Sequence, residues 1–204
     1  LPETYFGLPL GATRELGSHK GYGLGSVVDV TRQDEVKELV EKTLEAFGRI
    51  DILVNSAGIF PQATVQDMAE EEWDQVIAVN LKGTFLSCKA VLDHMIENKR
   101  GRIINISAGH AMRGIPKGSH YCASKAGLLG LTRSLAGEYS NDGILVNALC
   151  PGWVDTEMAQ EGLQGFAEAL KISKEDAYKE AMKQVPLGKM SKPEEVAQLV
   201  AYLV

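Results

Sequence analysis

A chain of 204 residues, 45% hydrophobic and 24% charged, suits one globular domain with a real core and excludes a disordered or fibrous protein. A net charge of −6 removes the bulk attraction to phosphate that nucleic-acid binding relies on, so no nucleic-acid partner is expected. Cys88, Cys122 and Cys150 are few and far apart, no zinc-type spacing occurs, and neither a leader nor a bilayer-long apolar run is visible; the expectation is a cytoplasmic protein with no metal and no membrane partner.

In chain order, residues 1–25 form an atypical N-terminal segment. "SVVDVT" (26–31) then reads as a strand ending near Asp29 and Thr31, and "DEVKELVEKTLEAFG" as an amphipathic helix stopped by Gly48. "IDILVNSAG" (50–58) is a strand whose unbroken apolar run predicts burial on both faces. Residues 70–101 read as one long helix or two abutting ones. "RIINIS" is a strand, "HYCASKAGLLGLTRSLA" a helix, and "ILVNALCPG" a strand broken by Pro151 and Gly152. The rest is helical. Alternating strands and helices predict an α/β fold, a doubly wound parallel sheet of Rossmann-like type in a single domain over 1–204, with ligands beyond the carboxyl ends of the strands.

Small or polar residues recur at those ends: Asp29, Asn55, Ala57, Gly58, Ser107, Pro151 and Gly152. One spacing adds chemistry. Tyr121 and Lys125 stand four apart and share a helical face. A phenol used as a base near neutrality needs its pKa lowered by about three units, or roughly 4 kcal/mol. One ammonium about 4 Å away, at an effective dielectric near 20, supplies roughly that amount.

The motifs "NSAG", "NLKGTF", "YCASK" and "PGWVDTEM" occur in the order and spacing of the short-chain dehydrogenase/reductase family, which the chain resembles over residues 26–204. The resemblance, of 3-oxoacyl-ACP-reductase type, implies hydride transfer between NAD or NADP and a small carbonyl or alcohol substrate. In the family's pattern Tyr121 is the acid/base, Lys125 lowers its pKa and holds the nicotinamide ribose, and Asn80 supports a proton-relay water. Asp29, Asn55, Ala57, Gly58, Pro151, Gly152, Val154 and Thr156 fall where the family holds its cofactor. Residues 155–190 fall where it has a substrate lid. Gly127 and Gly130 lie in a helix that the family buries between subunits, so a homodimer or homotetramer is implied.

Three departures qualify this. The family's catalytic Ser stands thirteen residues before the Tyr, and 121 − 13 = 108 is alanine here. Ser107 is one residue early and should face the other way. Ala108 therefore predicts an impaired enzyme, since losing one such donor costs about a hundred- to a thousandfold in rate. Next, "LGATRELG" is the nearest match to the phosphate-binding loop. It keeps Gly11 and Gly17 but has Glu15 at the middle glycine, and the N-terminal unit reads as shortened. Arg14 would favour a 2′-phosphate if this loop works. Last, the chain stops in "EEVAQLVAYLV", with the family's final strand absent. A non-catalytic ligand-binding or assembly relative, or an inactive piece, is the alternative. His19, His94, His110 and His120 form no cluster; by position in the family's pattern His110 and His120 could flank the substrate, but loop histidines are more often simply solvated. Trp73 and Trp153 read as packing residues.

Overall fold

The computed structural model describes residues 23–204. Helix α1 (Gln33–Phe47) begins with Asp34 and Glu35 against its positive end and stops at Gly48, whose φ of 75° only glycine adopts without strain. Strand β1 (Ile52–Asn55) follows. Helix α2 (Glu70–Ile77), a π turn (Ala78–Lys82) and helix α3 (Gly83–Glu97) come next; every junction residue is right-handed helical, so the three form one continuous rod. Strand β2 (Gly101–Ile106), helix α4 (Ser119–Tyr139), strand β3 (Ile144–Leu149) and helices α5 (Glu157–Leu170), α6 (Lys174–Met182) and α7 (Pro193–Leu203) complete the described chain.

The strands form a parallel sheet in the order β1-β2-β3, with Leu53 opposite Ile103 and Ile103 opposite Val146. α1, α3 and α4 cover the face that these residues share. The core there joins Cys88, Val91, Leu92 and Met95 of α3 to Ile103, Leu135, Ile144 and Val146, with Val40 and Leu53 at its margin. Met95, Ile103 and Ile144 are completely buried, each worth about 2 kcal/mol of transfer free energy. Gly143 turns the chain into β3 at a φ of 75°, and the Lys99 carbonyl occupies the place a Cβ would take.

Two expectations fail here. Residues 26–31 form no strand: Val28 is buried and Val30 packs on Gly83, but the segment joins no ladder. A strand exists only where a neighbour accepts its hydrogen bonds, and among the described residues β1 pairs with β2 alone. Nor is β1 buried on both faces. Ile52 and Val54 are 45% and 42% exposed, because among the described residues only the α3 side of the sheet is packed there. Gly11, Arg14, Glu15, Gly17 and His19 lie outside the described residues.

Candidate active site

Tyr121 and Lys125 lie in the first two turns of α4, and both are buried. The Lys125 Nζ sits 5.8 Å from the centre of the Tyr121 ring and donates to the Ile106 carbonyl at 2.8 Å, at the end of β2. Phe60 stacks on the phenol with centroids 4.4 Å apart. Burial, with a smaller contribution from Cys122, pushes the Tyr121 phenol up to about 12, and burial pulls the Lys125 amine down to about 8. The expected acidification of Tyr121 by Lys125 is therefore not a property of the chain by itself. The same loss of water that destabilises the phenolate destabilises the ammonium meant to hold it.

Asn80 is fully buried within the π turn, a distortion often found at functional sites. Its Oδ1 accepts from the Ile59 amide at 2.8 Å, while Nδ2 donates to the Ile59 carbonyl at 3.0 Å and to Ser124 Oγ at 3.1 Å. Ser124 in turn donates to the Tyr121 carbonyl. Asn80 thus ties the loop after β1, the rod and the first turn of α4 together. Both of its amide hydrogens are used by protein groups, so a relay water finds no donor on Nδ2.

Ala108 is buried just beyond β2, with an extended φ of −158° that keeps the alternation of the strand. The Ser107 hydroxyl consequently goes elsewhere, donating to the Lys125 carbonyl at 2.8 Å. It staples β2 to α4 and does not replace a hydroxyl at position 108.

Of the expected cofactor residues, Gly58 is brought against Lys125 and Asn80: a Cβ there would lie 3.4 Å from both Asn80 Oδ1 and Lys125 Nζ. Ala57 precedes it on the same turn. The Pro151 carbonyl accepts from the Gly109 amide at 2.7 Å, which sets the Pro151–Gly152 turn beside Ala108. Val154 bridges to Ser191, and Thr156 caps α5. Two residues also make structural bonds. Asn55 turns its amide inward to Asn105 Oδ1 at 2.9 Å, and Asn105 continues to Thr132. Asp29 accepts from the Thr31 amide and hydroxyl through Oδ1, in a turn leading into α1.

Sequence reasoning missed Phe60, Asn105, Ser124 and Thr132, and misplaced His120, which is completely buried rather than solvated. Asn105 carried a signal: a lone amide inside an apolar strand must find a buried partner. Trp153 packs, as expected, against Leu163, Ala181, Met182 and Met190, the small core of the α5–α6 hairpin. Between that hairpin and Phe60, Gln62 and Lys117 lies an open cavity of about 820 Å³.

A family model described as enoyl-(acyl carrier protein) reductase, of the short-chain dehydrogenase/reductase type, matches residues 10–204. The chain belongs to the short-chain dehydrogenase/reductase family. It is 42% identical over 177 residues to the 3-oxoacyl-[acyl-carrier-protein] reductase FabG of Thermotoga maritima, covering 87% of this chain and 68% of that protein. Among solved structures, a single-residue variant of actinorhodin polyketide ketoreductase with NADPH superposes with a TM-score of 0.89 at 37% identity, over 93% of this chain and 74% of that one. NAD+-bound xylitol dehydrogenase superposes with a TM-score of 0.88 at 27% identity, over 95% and 76%. As a member of this family the chain is an NAD(P)-dependent oxidoreductase acting on ketones and alcohols. The geometry fits a nicotinamide ribose: a buried amine with no carboxylate partner among the described residues, beside a glycine whose missing Cβ leaves the approach open. No helix among the described residues is long and apolar enough to cross a membrane.

Proposed function

We propose that this short-chain dehydrogenase/reductase works as a reductase of keto acyl thioesters or closely related ketones, with Tyr121 as the proton donor. The observation that carries the reading is the buried Tyr121–Lys125 pair on one helical turn, with the phenol held protonated by burial. A protonated phenol can give its proton to a carbonyl oxygen as negative charge develops there, and in the reverse direction the same group takes the proton back from the alcohol. Bound NADH or NADPH supplies the hydride. Lys125 holds the ribose and lends positive charge. Asn80 keeps Ile59, Gly58 and Ser124 in place around the pair. Ala57, Pro151, Gly152, Val154 and Thr156 shape the cofactor walls, and the α5–α6 hairpin over residues 155–190 closes on the substrate. Gly127, where a Cβ would press on Leu81 at 2.8 Å, lets α4 lie close on the rod. The names of the relatives support the thioester class. A cytoplasmic homodimer or homotetramer completes the proposal.

Ala108 supports a second reading, a relative that binds ligand without turnover. Nicotinamide absorbance followed with an acetoacetyl thioester, and with a polyol under oxidising conditions, tests both. Slow, saturable reduction of the thioester is expected. Faster polyol oxidation would overturn the assigned substrate class. Dinucleotide binding with no turnover, even in Ala108→Ser, would establish the second reading.

A further inference from the structure

The residue before Tyr121 has a task of its own. α4 begins behind Gly118, which offers no side chain to cap the free N–H groups of the first turn. Packing forbids one: a Cβ there would lie 2.7 Å from Ile115 and 3.1 Å from Phe60, whose ring stacks on Tyr121. The Tyr121 amide donates instead to Nδ1 of His120, 2.9 Å away. An accepting ring nitrogen carries no proton, so the neutral imidazole bears its hydrogen on Nε2. His120 is completely buried, and its Nε2 lies 3.3 Å from Glu72 Oε1, close enough for a hydrogen bond but not aligned for one. Neither atom has a hydrogen-bond partner among the described residues: the two stand within reach of one another, but the ring N–H is not aligned on the carboxylate oxygen. Glu72 lies in the first turn of α2, on the rod that carries Asn80.

We propose that Glu72 and His120 are a positioning couple for Tyr121. The Glu72 carboxylate holds His120 in its Nε2–H tautomer; Nδ1 is thereby free to cap the Tyr121 amide, and the phenol is held at a fixed height against the reacting carbonyl. With the Asn80–Ser124 bond, the couple clamps α4 to the rod one residue before Tyr121 and three after it. The inference rests on Tyr121 being the proton donor.

Long-range proton–nitrogen NMR of the His120 ring in the unaltered chain, and again in Glu72→Ala, reads the tautomer directly. A bare Nδ1 with a protonated Nε2, disturbed by Glu72→Ala, is expected; a protonated Nδ1 in the unaltered chain would overturn the couple. Kinetics are measured in an Ala108→Ser background. His120→Phe fills the space without an acceptor and should lower kcat about ten- to a hundredfold, the cost of a displacement of about 1 Å or less, with KM nearly unchanged. His120→Asn, whose Oδ1 can meet the same amide, should recover most of kcat. An undiminished kcat in His120→Phe, beside a dead Tyr121→Phe, overturns the couple alone. An undiminished kcat in Tyr121→Phe overturns the assignment of the proton donor, and the couple's purpose with it. Where His120→Phe does not fold, the tautomer decides.

Discussion

The Lys125 ammonium lies 5.8 Å from the centre of the Tyr121 ring and gives a hydrogen bond to the carbonyl of Ile106, at the carboxyl end of the middle strand. A single backbone acceptor therefore sets where this cation stands beside the phenol. In the proposed mechanism Lys125 is the fixed support for the ribose and the phenol the resting acid.

Replacing that acid should remove the reaction. Tyr121→Phe keeps the ring against Phe60 and loses only the proton, so folding is unchanged while kcat drops by about a thousandfold, within the range of acid–base catalysis. Nicotinamide absorbance and far-UV circular dichroism measure the two halves.

Restoring the missing donor should act in the opposite direction. Ala108 is buried in extended backbone beside the Gly109–Pro151 bond, a rigid place for a hydroxyl. Ala108→Ser is expected to raise kcat about a hundred- to a thousandfold, as gaining one oxyanion donor does. A change of less than about threefold would mean that the hydroxyl does not reach the substrate oxygen.

Lys125 also writes a pH dependence into stability. Folded, it titrates near about 8 instead of its usual 10.5, because burial penalises the charge. Between those values the unfolded chain binds more protons than the folded one, so stability rises as pH climbs from about 8 toward 10.5, and the penalty is complete below about 8. Lys125→Met should stabilise the chain at neutral pH by roughly 2 kcal/mol net, after the Ile106 carbonyl loses its donor, while abolishing activity. Urea titrations at neutral and alkaline pH check this, the gain shrinking at the higher pH.

Removing the amide at position 80 should loosen three elements together. Asn80→Ala leaves the part-buried Ile59 amide and carbonyl without this partner and takes one donor from the Ser124 hydroxyl, which keeps its bond to Tyr121, for a loss of roughly 2 to 4 kcal/mol in urea titration. Thr84→Ala, one turn on, removes one bond to a backbone carbonyl and should cost about 1 kcal/mol.

Gly143→Ala is the purely structural counterpart. The residue has a φ of 75° and the Lys99 carbonyl where its Cβ would go, so strain and clash combine to cost more than about 2 kcal/mol. Calorimetry should show a lower Tm with the acid chemistry of any folded enzyme intact.

How much of this could be read from residues alone follows from the range of each interaction. The helix at Gln33–Phe47 was legible, since apolar spacing and a stopping glycine act over a few residues. So were the Tyr121–Lys125 spacing and the opposite facing of Ser107 and Ala108, both being consequences of local periodicity. The strand expected at 26–31 was not there, because a ladder needs a neighbour that the segment itself cannot specify.

By itself the sequence determined the succession of elements, the register of the reacting pair on its helix and the alanine at 108, all governed by backbone geometry within one or two turns. Tertiary structure decided the rest. It made the phenol a weaker acid rather than a stronger one, turned Asn55 inward, committed Asn80 to Ile59 and Ser124, and enclosed His120 against Glu72. Each of these depends on which distant groups exclude water and which remain to accept a proton, and burial exists only once the chain has closed on itself.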